Sequence, residues 1–172
     1  YACEVFSKVP VKPGKKKRVG ITGEIYMKYS KLGNDDIESF LLRQGMEPYS
    51  GGFVNYCLYL VDTERYKAEK YQHNPIMAKA CAFVLHRLCE AQKHLLTVIG
   101  ETDRFQTDLP FPELKEKVQG ILAEGCNTGD GWLIAAEVIQ YVEKGCGSVL
   151  ILHPFGCLVS HVCERGILQR LH

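Results

Sequence analysis

The sequence predicts an α/β domain with a mainly parallel sheet, and three observations predict it. Short apolar runs bounded by glycine or proline, Val19–Thr22 and Val149–Leu152, read as buried strands. Segments with apolar residues at helical spacing alternate with them. A third short run, Met46–Tyr49, follows the first such helix and completes a β-α-β start.

The chain has 172 residues, enough for one domain with its own core. Hydrophobic residues make up 46% and charged residues 24%, an ordinary globular composition. A net charge of +1 gives no global argument for a nucleic-acid partner. No apolar run reaches membrane-spanning length and no signal-peptide pattern opens the chain, so no membrane partner is expected. The chain opens on Tyr1, and a fragment or processed product is expected. The eight cysteines lie partly inside helical patterns and lack C-x-x-C spacing, which reads as reduced thiols in a cytoplasmic protein.

Taken in order, residues 1–16 form a lead-in broken by Pro10, Pro13 and Gly14. Lys15–Arg18 is a basic run that reads as a solvated edge before a strand, with a phosphate patch as the alternative. Val19–Thr22 is the first strand, and Gly20 and Gly23 suggest close backbone approach without the G-x-G-x-x-G pattern. Asn34 is the expected N-cap of the next helix, with Asp35, Asp36 and Glu38 in its first turn. Ile37, Phe40, Leu41 and Leu42 form its apolar stripe, and Gly45 ends it. Phe53 to Tyr66 is ambiguous between strand and helix. Asn74 and Pro75 open a long helix with an expected inward stripe of Met77, Cys81, Val84, Leu88, Leu95 and Ile99. A further helix starts near Pro110 and Pro112, and a helical insertion over about 53–125 is expected in a domain spanning 17–172. Gly125–Trp132 is a glycine-rich loop capped by Thr128 or Asp130, followed by a helix with Trp132, Leu133, Ala136, Ile139 and Val142 inward.

The stretch Ser148–Cys163 organises the rest. It begins as a strand, breaks at Pro154 and Gly156, and delivers Cys157 just before the apolar-periodic segment Leu158–Leu171, which predicts a helix. Ligands of open α/β sheets sit at the carboxyl ends of strands. A helix start there would favour a thiolate, so Cys157 should be more exposed and more reactive than Cys81 or Cys89. A buried residue closing a turn is the plainer reading of this cysteine. Parallel strands share an edge, so Gly23-Glu24 and Phe155-Gly156-Cys157 should lie together, with Gly129 nearby. Glu24, Tyr26, Tyr29 and Asn127 are candidate lining residues. A zinc set of His153, Cys157, His161 and Cys163 is a weaker alternative, because its spacing matches no zinc motif.

Three stretches carry a family resemblance. Val19–Asn34 resembles the signature VGIxGEIYxKYSPLGN, Asn127–Leu133 resembles NxxGEGWL, and His153–His161 resembles QPFGCLPNH. Together they resemble the 2-hydroxyacyl-CoA dehydratase and activase-related family over residues 17 to 171. Lys31, Asp130 and Val159-Ser160 depart from the family pattern.

The resemblance implies a flavodoxin-like domain with helices on both faces, here expected as an incomplete domain. It implies 4Fe–4S chemistry in the complete protein, driven by an ATP-dependent activase, with Cys157 as a cluster and metal ligand. One cysteine cannot hold a cluster that needs about four ligands, so no bound cluster is expected in this segment. The implied partners are other domains or subunits of a dehydratase/activase complex, with acyl-CoA as a further possibility. The competing reading is a non-catalytic flavodoxin-like module that binds a partner protein or acyl-CoA. No Ser-His-Asp set or paired carboxylates can be assembled from the sequence, so no catalytic residue is assigned.

Overall fold

A computed structural model describes residues 1–11, 14–102 and 104–167. The lead-in carries α1 (Ala2–Ser7). Then come β1 (Arg18–Gly23), three short helices α2 (Ile25–Tyr29), α3 (Lys31–Asn34) and α4 (Ile37–Arg43), and β2 (Glu47–Ser50). Four helices follow: α5 (Phe53–Lys70), α6 (Pro75–Gly100), α7 (Phe111–Glu116) and α8 (Gly131–Glu143). The last strand is β3 (Ser148–Leu152). Its exit leads into a helical stretch with a π-turn at Ser160–Glu164 and a 3-10 turn at Arg165–Ile167.

The sheet is parallel, in the order β2-β1-β3. That order opens the flavodoxin-like arrangement, and the fold is of this mainly parallel α/β kind. Register pairs Gly20 with Tyr49 on one side of β1 and with Val149 on the other. Helices cover both faces. Val19 and Ile21 point to one face and pack with Leu41 and Ile37 of α4. Gly20 and Thr22 point to the other, where α8 lies. Gly20 is glycine because α8 comes so close: a Cβ there would stand 2.6 Å from the Tyr141 ring. The larger core lies on this side, where Trp132 and Leu133 of α8 meet Leu58 and Tyr59 of α5 and Phe111 and Leu114 of α7. Burial of each such side chain contributes roughly 1.5–3 kcal/mol.

Several local expectations are corrected. Phe53–Tyr66 is helical, as the first three turns and more of α5. Asn34 ends α3 and does not cap α4; the cap position is Asp36, in the left-handed region. The Asn34 side chain still accepts the Ile37 N–H at 3.3 Å, so the capping chemistry is met from two residues upstream. Phe40 and Leu42 are exposed, leaving Leu41 as the buried anchor of α4. On α8, Val142 is exposed. On α6, Met77, Val84, Leu88 and Leu95 are exposed, while Leu85, Cys89 and Gln92 face the core. Gln92 wins an inward position through its hydrogen bonds: it donates to Asn55 Oδ1 at 2.6 Å and accepts the Phe111 N–H at 2.9 Å. The expected helix Leu158–Leu171 is a tight mixture of α, π and 3-10 turns as far as Ile167, and its last part lies outside the described residues.

Candidate functional site at the carboxyl edge of the sheet

In the order β2-β1-β3 the chain reverses direction across β1, so the crevice between the exits of β1 and β3 is the switch point where ligands of such sheets bind. The two exits are joined directly. The Glu24 N–H donates to the Leu152 carbonyl at 2.8 Å. Gly23, at φ 134, permits this contact, since a Cβ would stand 1.9 Å from that same oxygen. The Glu24 carboxylate then turns back and accepts the Met27 N–H at 3.0 Å, capping α2.

Beneath the exit of β1 lies a buried ion pair. Lys28 Nζ donates to both carboxylate oxygens of Glu137 on α8, at 2.8 Å each. Thr22 of β1 donates its hydroxyl to Glu137 Oε2 at 2.5 Å. All three residues are buried. Burial pulls the Lys28 ammonium down, and the Glu137 carboxylate more than offsets it, so the lysine stays charged above its ordinary value. Beside it, burial raises the Tyr29 phenol. The Tyr29 hydroxyl donates to the Gly51 carbonyl at 2.9 Å, and the Gly51 N–H donates to the Tyr141 hydroxyl at 2.8 Å. A cavity of about 10 Å³ sits among Gly23, Lys28, Tyr29, Tyr56, Asp130 and Glu137. That is room for about one water molecule.

The glycine-rich loop closes the third wall. Asp130 occupies the cap position of α8 but makes no capping bond to its own helix. Its Oδ2 accepts the Ile25 N–H at 3.4 Å instead, tying the loop to the β1 exit. Burial pushes the Asp130 carboxyl up to about 6, with Glu24, Glu137 and Glu164 adding to the effect. Gly131, at φ 32, lets the loop fold on itself: a Cβ would lie 2.1 Å from the Cys126 carbonyl. Gly129 abuts Val159 across the seam to the β3 exit. Asn127 is buried, and among the described residues its Nδ2 has no hydrogen-bond partner, nor have Ser160 Oγ, Glu164 Oε1 and Tyr59 OH.

The Cys157 loop rises from this base. Phe155 is fully exposed, and Gly156 takes φ 77 with open space around it. Cys157 comes just before the helical turns and its carbonyl accepts the His161 N–H at 3.2 Å. It is half-buried, as are Cys81 and Cys89, so exposure does not set the three apart as expected. The zinc set is not assembled. Cys163 is buried, with burial pushing its thiol up to about 11, and it lies beside Cys126. Among the described residues no three His, Cys, Asp or Glu side chains gather to hold a metal ion.

Of the residues singled out by sequence, Gly23, Glu24, Asn127, Gly129, Phe155, Gly156 and Cys157 lie in or beside the segments that meet at this edge. Tyr29 lines the small cavity. Tyr26 is exposed and packs near Gly33. Sequence reasoning missed Thr22, Lys28 and Glu137. Their one visible signal was Glu137, a lone charge in the apolar run of α8. No helix among the described residues is long and apolar enough to cross a membrane. No family model matches the chain, and neither do the curated proteins or the solved structures compared with it.

Proposed function

We propose that this chain is a domain of an iron–sulfur, ATP-driven low-potential reductase or 2-hydroxyacyl-CoA dehydratase/activase-like protein, to which it contributes Cys157 as one cluster ligand. The observation that carries the reading is the position of Cys157: a half-buried thiol on the loop leaving β3, next to the switch point of a parallel sheet. The residues present fit a single thiolate donor and not a complete cluster site, since no metal-holding group of three is gathered among those described. The remaining ligands of a 4Fe–4S cluster would come from other segments or subunits. Such a cluster would supply low-potential electron transfer. The chain's own part is to hold a soft thiolate on a rigid base, through the Glu24–Leu152 and Asp130–Ile25 bonds and the Lys28–Glu137 pair.

The test is Cys157→Ser in the full-length protein, reconstituted anaerobically with iron and sulfide. The expected result is loss of bound iron with an unchanged unfolding midpoint, because little volume is removed at a turn. Unchanged iron content, together with a Cys157 that resists alkylation as strongly as Cys81, would overturn the assignment. A second reading, a non-catalytic module binding a partner protein, is favoured by the exposed apolar face of α6.

A further inference from the structure

The basic run Lys15-Lys16-Lys17-Arg18 leads into β1, at the amino edge of the sheet and away from Cys157. Both neighbouring strands pin it there. The Glu47 N–H of β2 donates to the Lys17 carbonyl at 2.9 Å, and the Gly147 N–H, next to β3, donates to the Arg18 carbonyl at 3.1 Å. Arg18 is used by the fold. Its guanidinium donates to Gln106 Oε1 at 2.7 Å and to the Lys144 carbonyl at 3.4 Å, and it pairs with Glu47 at 3.4 Å. The three lysines are not used in this way. All are exposed, and none forms an ion pair among the described residues.

These side chains surround a cavity of about 550 Å³, whose lining Gly145 and Gly147 help to complete. The Lys17 stem runs along Gly147, where a Cβ would stand 3.4 Å from its Cε. The four basic residues meet one carboxylate at the cavity, that of Glu47, which leaves a local charge of +3 in a chain whose net charge is +1. Like charges so close repel one another, and an anion seated among them relieves the repulsion. Lysine ammonium groups, compact and with three donors each, bind phosphate as point charges. Three free ammonium groups balance about two phosphate groups, at roughly −1.5 to −2 each. The volume falls within the roughly 300–1,000 Å³ of small-molecule sites. A nucleic-acid strand requires a basic face that continues along the surface, whereas this charge is confined to one run with Glu47 at its border. A compact ligand is therefore favoured over a strand.

We propose that the cavity at the amino edge of the sheet binds a small ligand carrying two or more phosphate groups, held by Lys15, Lys16 and Lys17. The site is independent of the cluster reading, because it uses none of the residues at the carboxyl edge. Isothermal titration of the 172-residue chain with sodium tripolyphosphate, without added metal and at about 50 mM salt, reads the binding. The expected result is saturable one-to-one binding below about 1 mM that weakens as salt is raised. Lys15→Gln with Lys17→Gln should weaken it at least about tenfold with an unchanged circular dichroism spectrum, while Lys79→Gln with Lys93→Gln, on α6, should leave it within about twofold. Gly147→Val narrows the cavity without touching a charge and should weaken binding at least about threefold. Absence of saturable binding up to about 5 mM would overturn the proposal. An equal loss from the α6 pair would reduce it to general charge attraction, and Gly147→Val binding as wild type would remove the cavity from it. A single-stranded oligonucleotide that binds more tightly than tripolyphosphate would overturn the compact ligand and assign the run to a nucleic-acid strand.

Discussion

The buried pair of Lys28 and Glu137 gives the sharpest test of how the site is built. Replacing Lys28 by methionine keeps the volume and removes the charge. Glu137 would then be left buried with one donor, the Thr22 hydroxyl. Breaking a buried pair from one side costs about 3–5 kcal/mol, a large part of the roughly 5–15 kcal/mol that stabilises a domain. At a urea slope near 2 kcal/mol per M, the unfolding midpoint should fall by about 1.5–2.5 M. Removing both charges, Lys28→Met with Glu137→Leu, strands only the Thr22 hydroxyl, which costs about 1–3 kcal/mol. Adding Thr22→Val removes that last polar group, and the triple variant should return to within about 1 kcal/mol of the wild type. The lysine is held above its ordinary value, so the pair's contribution persists through neutral pH and is lost only as pH rises through that raised value. Urea titrations followed by Trp132 fluorescence read every step. A loss under about 1 kcal/mol in the single variant, or a triple variant no better than the single, would refute the account of a desolvated pair.

Two further outcomes are expected. Asp130 holds its proton more tightly folded than unfolded, so the folded state takes up a proton as pH falls from about 6 toward the ordinary carboxylate range, and stability from this group rises in that direction. Asp130→Asn should therefore stabilise the chain by about 1–3 kcal/mol at pH 7.5 and by nearly nothing at pH 4, and an equal difference at both values would contradict it. Gly23→Ala should cost more than about 2 kcal/mol and raise the exchange rate of the Glu24 amide, because the new Cβ meets the Leu152 carbonyl; Gly156→Ala, in open space, should cost about 1 kcal/mol, and similar losses for both would count against the close approach.

The strands β1 and β3 were legible because each holds an apolar run bounded by a breaker, the pattern of a parallel sheet covered on both faces, whereas β2, Glu-Pro-Tyr-Ser, was placed by its position after a helix. Helix α6 was legible as a helix but not in its orientation. Its apolar residues form two stripes, Met77-Val84-Leu88-Leu95 and Leu85-Cys89-Gln92 with neighbours, and periodicity alone does not say which one meets the core. The choice was made by Gln92, whose amide satisfies Asn55 and Phe111 from the inside, a contact that hydropathy scores against. The site was half legible. Glycines and the cysteine loop announce themselves as breaks in pattern. Lys28 meets Glu137 from 109 positions away, and no local spacing encodes such a pair.

The same contacts explain why one loop stands out from an otherwise fixed edge. The β1 exit is bonded to β3 through Glu24 and to the glycine-rich loop through Asp130, and α2 is bonded to α8 through Lys28. The Lys28–Glu137 tie is fully buried, so losing one partner leaves the other stranded, and the two loop ties are half-buried polar bonds that reinforce it. Among the described residues, 154–157 have only the turn bond from the Cys157 N–H to the Pro154 carbonyl and the bond that the Cys157 carbonyl accepts from the His161 N–H, at 3.2 Å each. Phe155 holds its ring wholly in water, and a Cβ on Gly156 would meet nothing within 4 Å. Covering that ring by a partner surface would return roughly 1.5–3 kcal/mol. The cover would also take Cys157 out of water, so under the proposed function the partner would have to bring the cluster's other ligands with it.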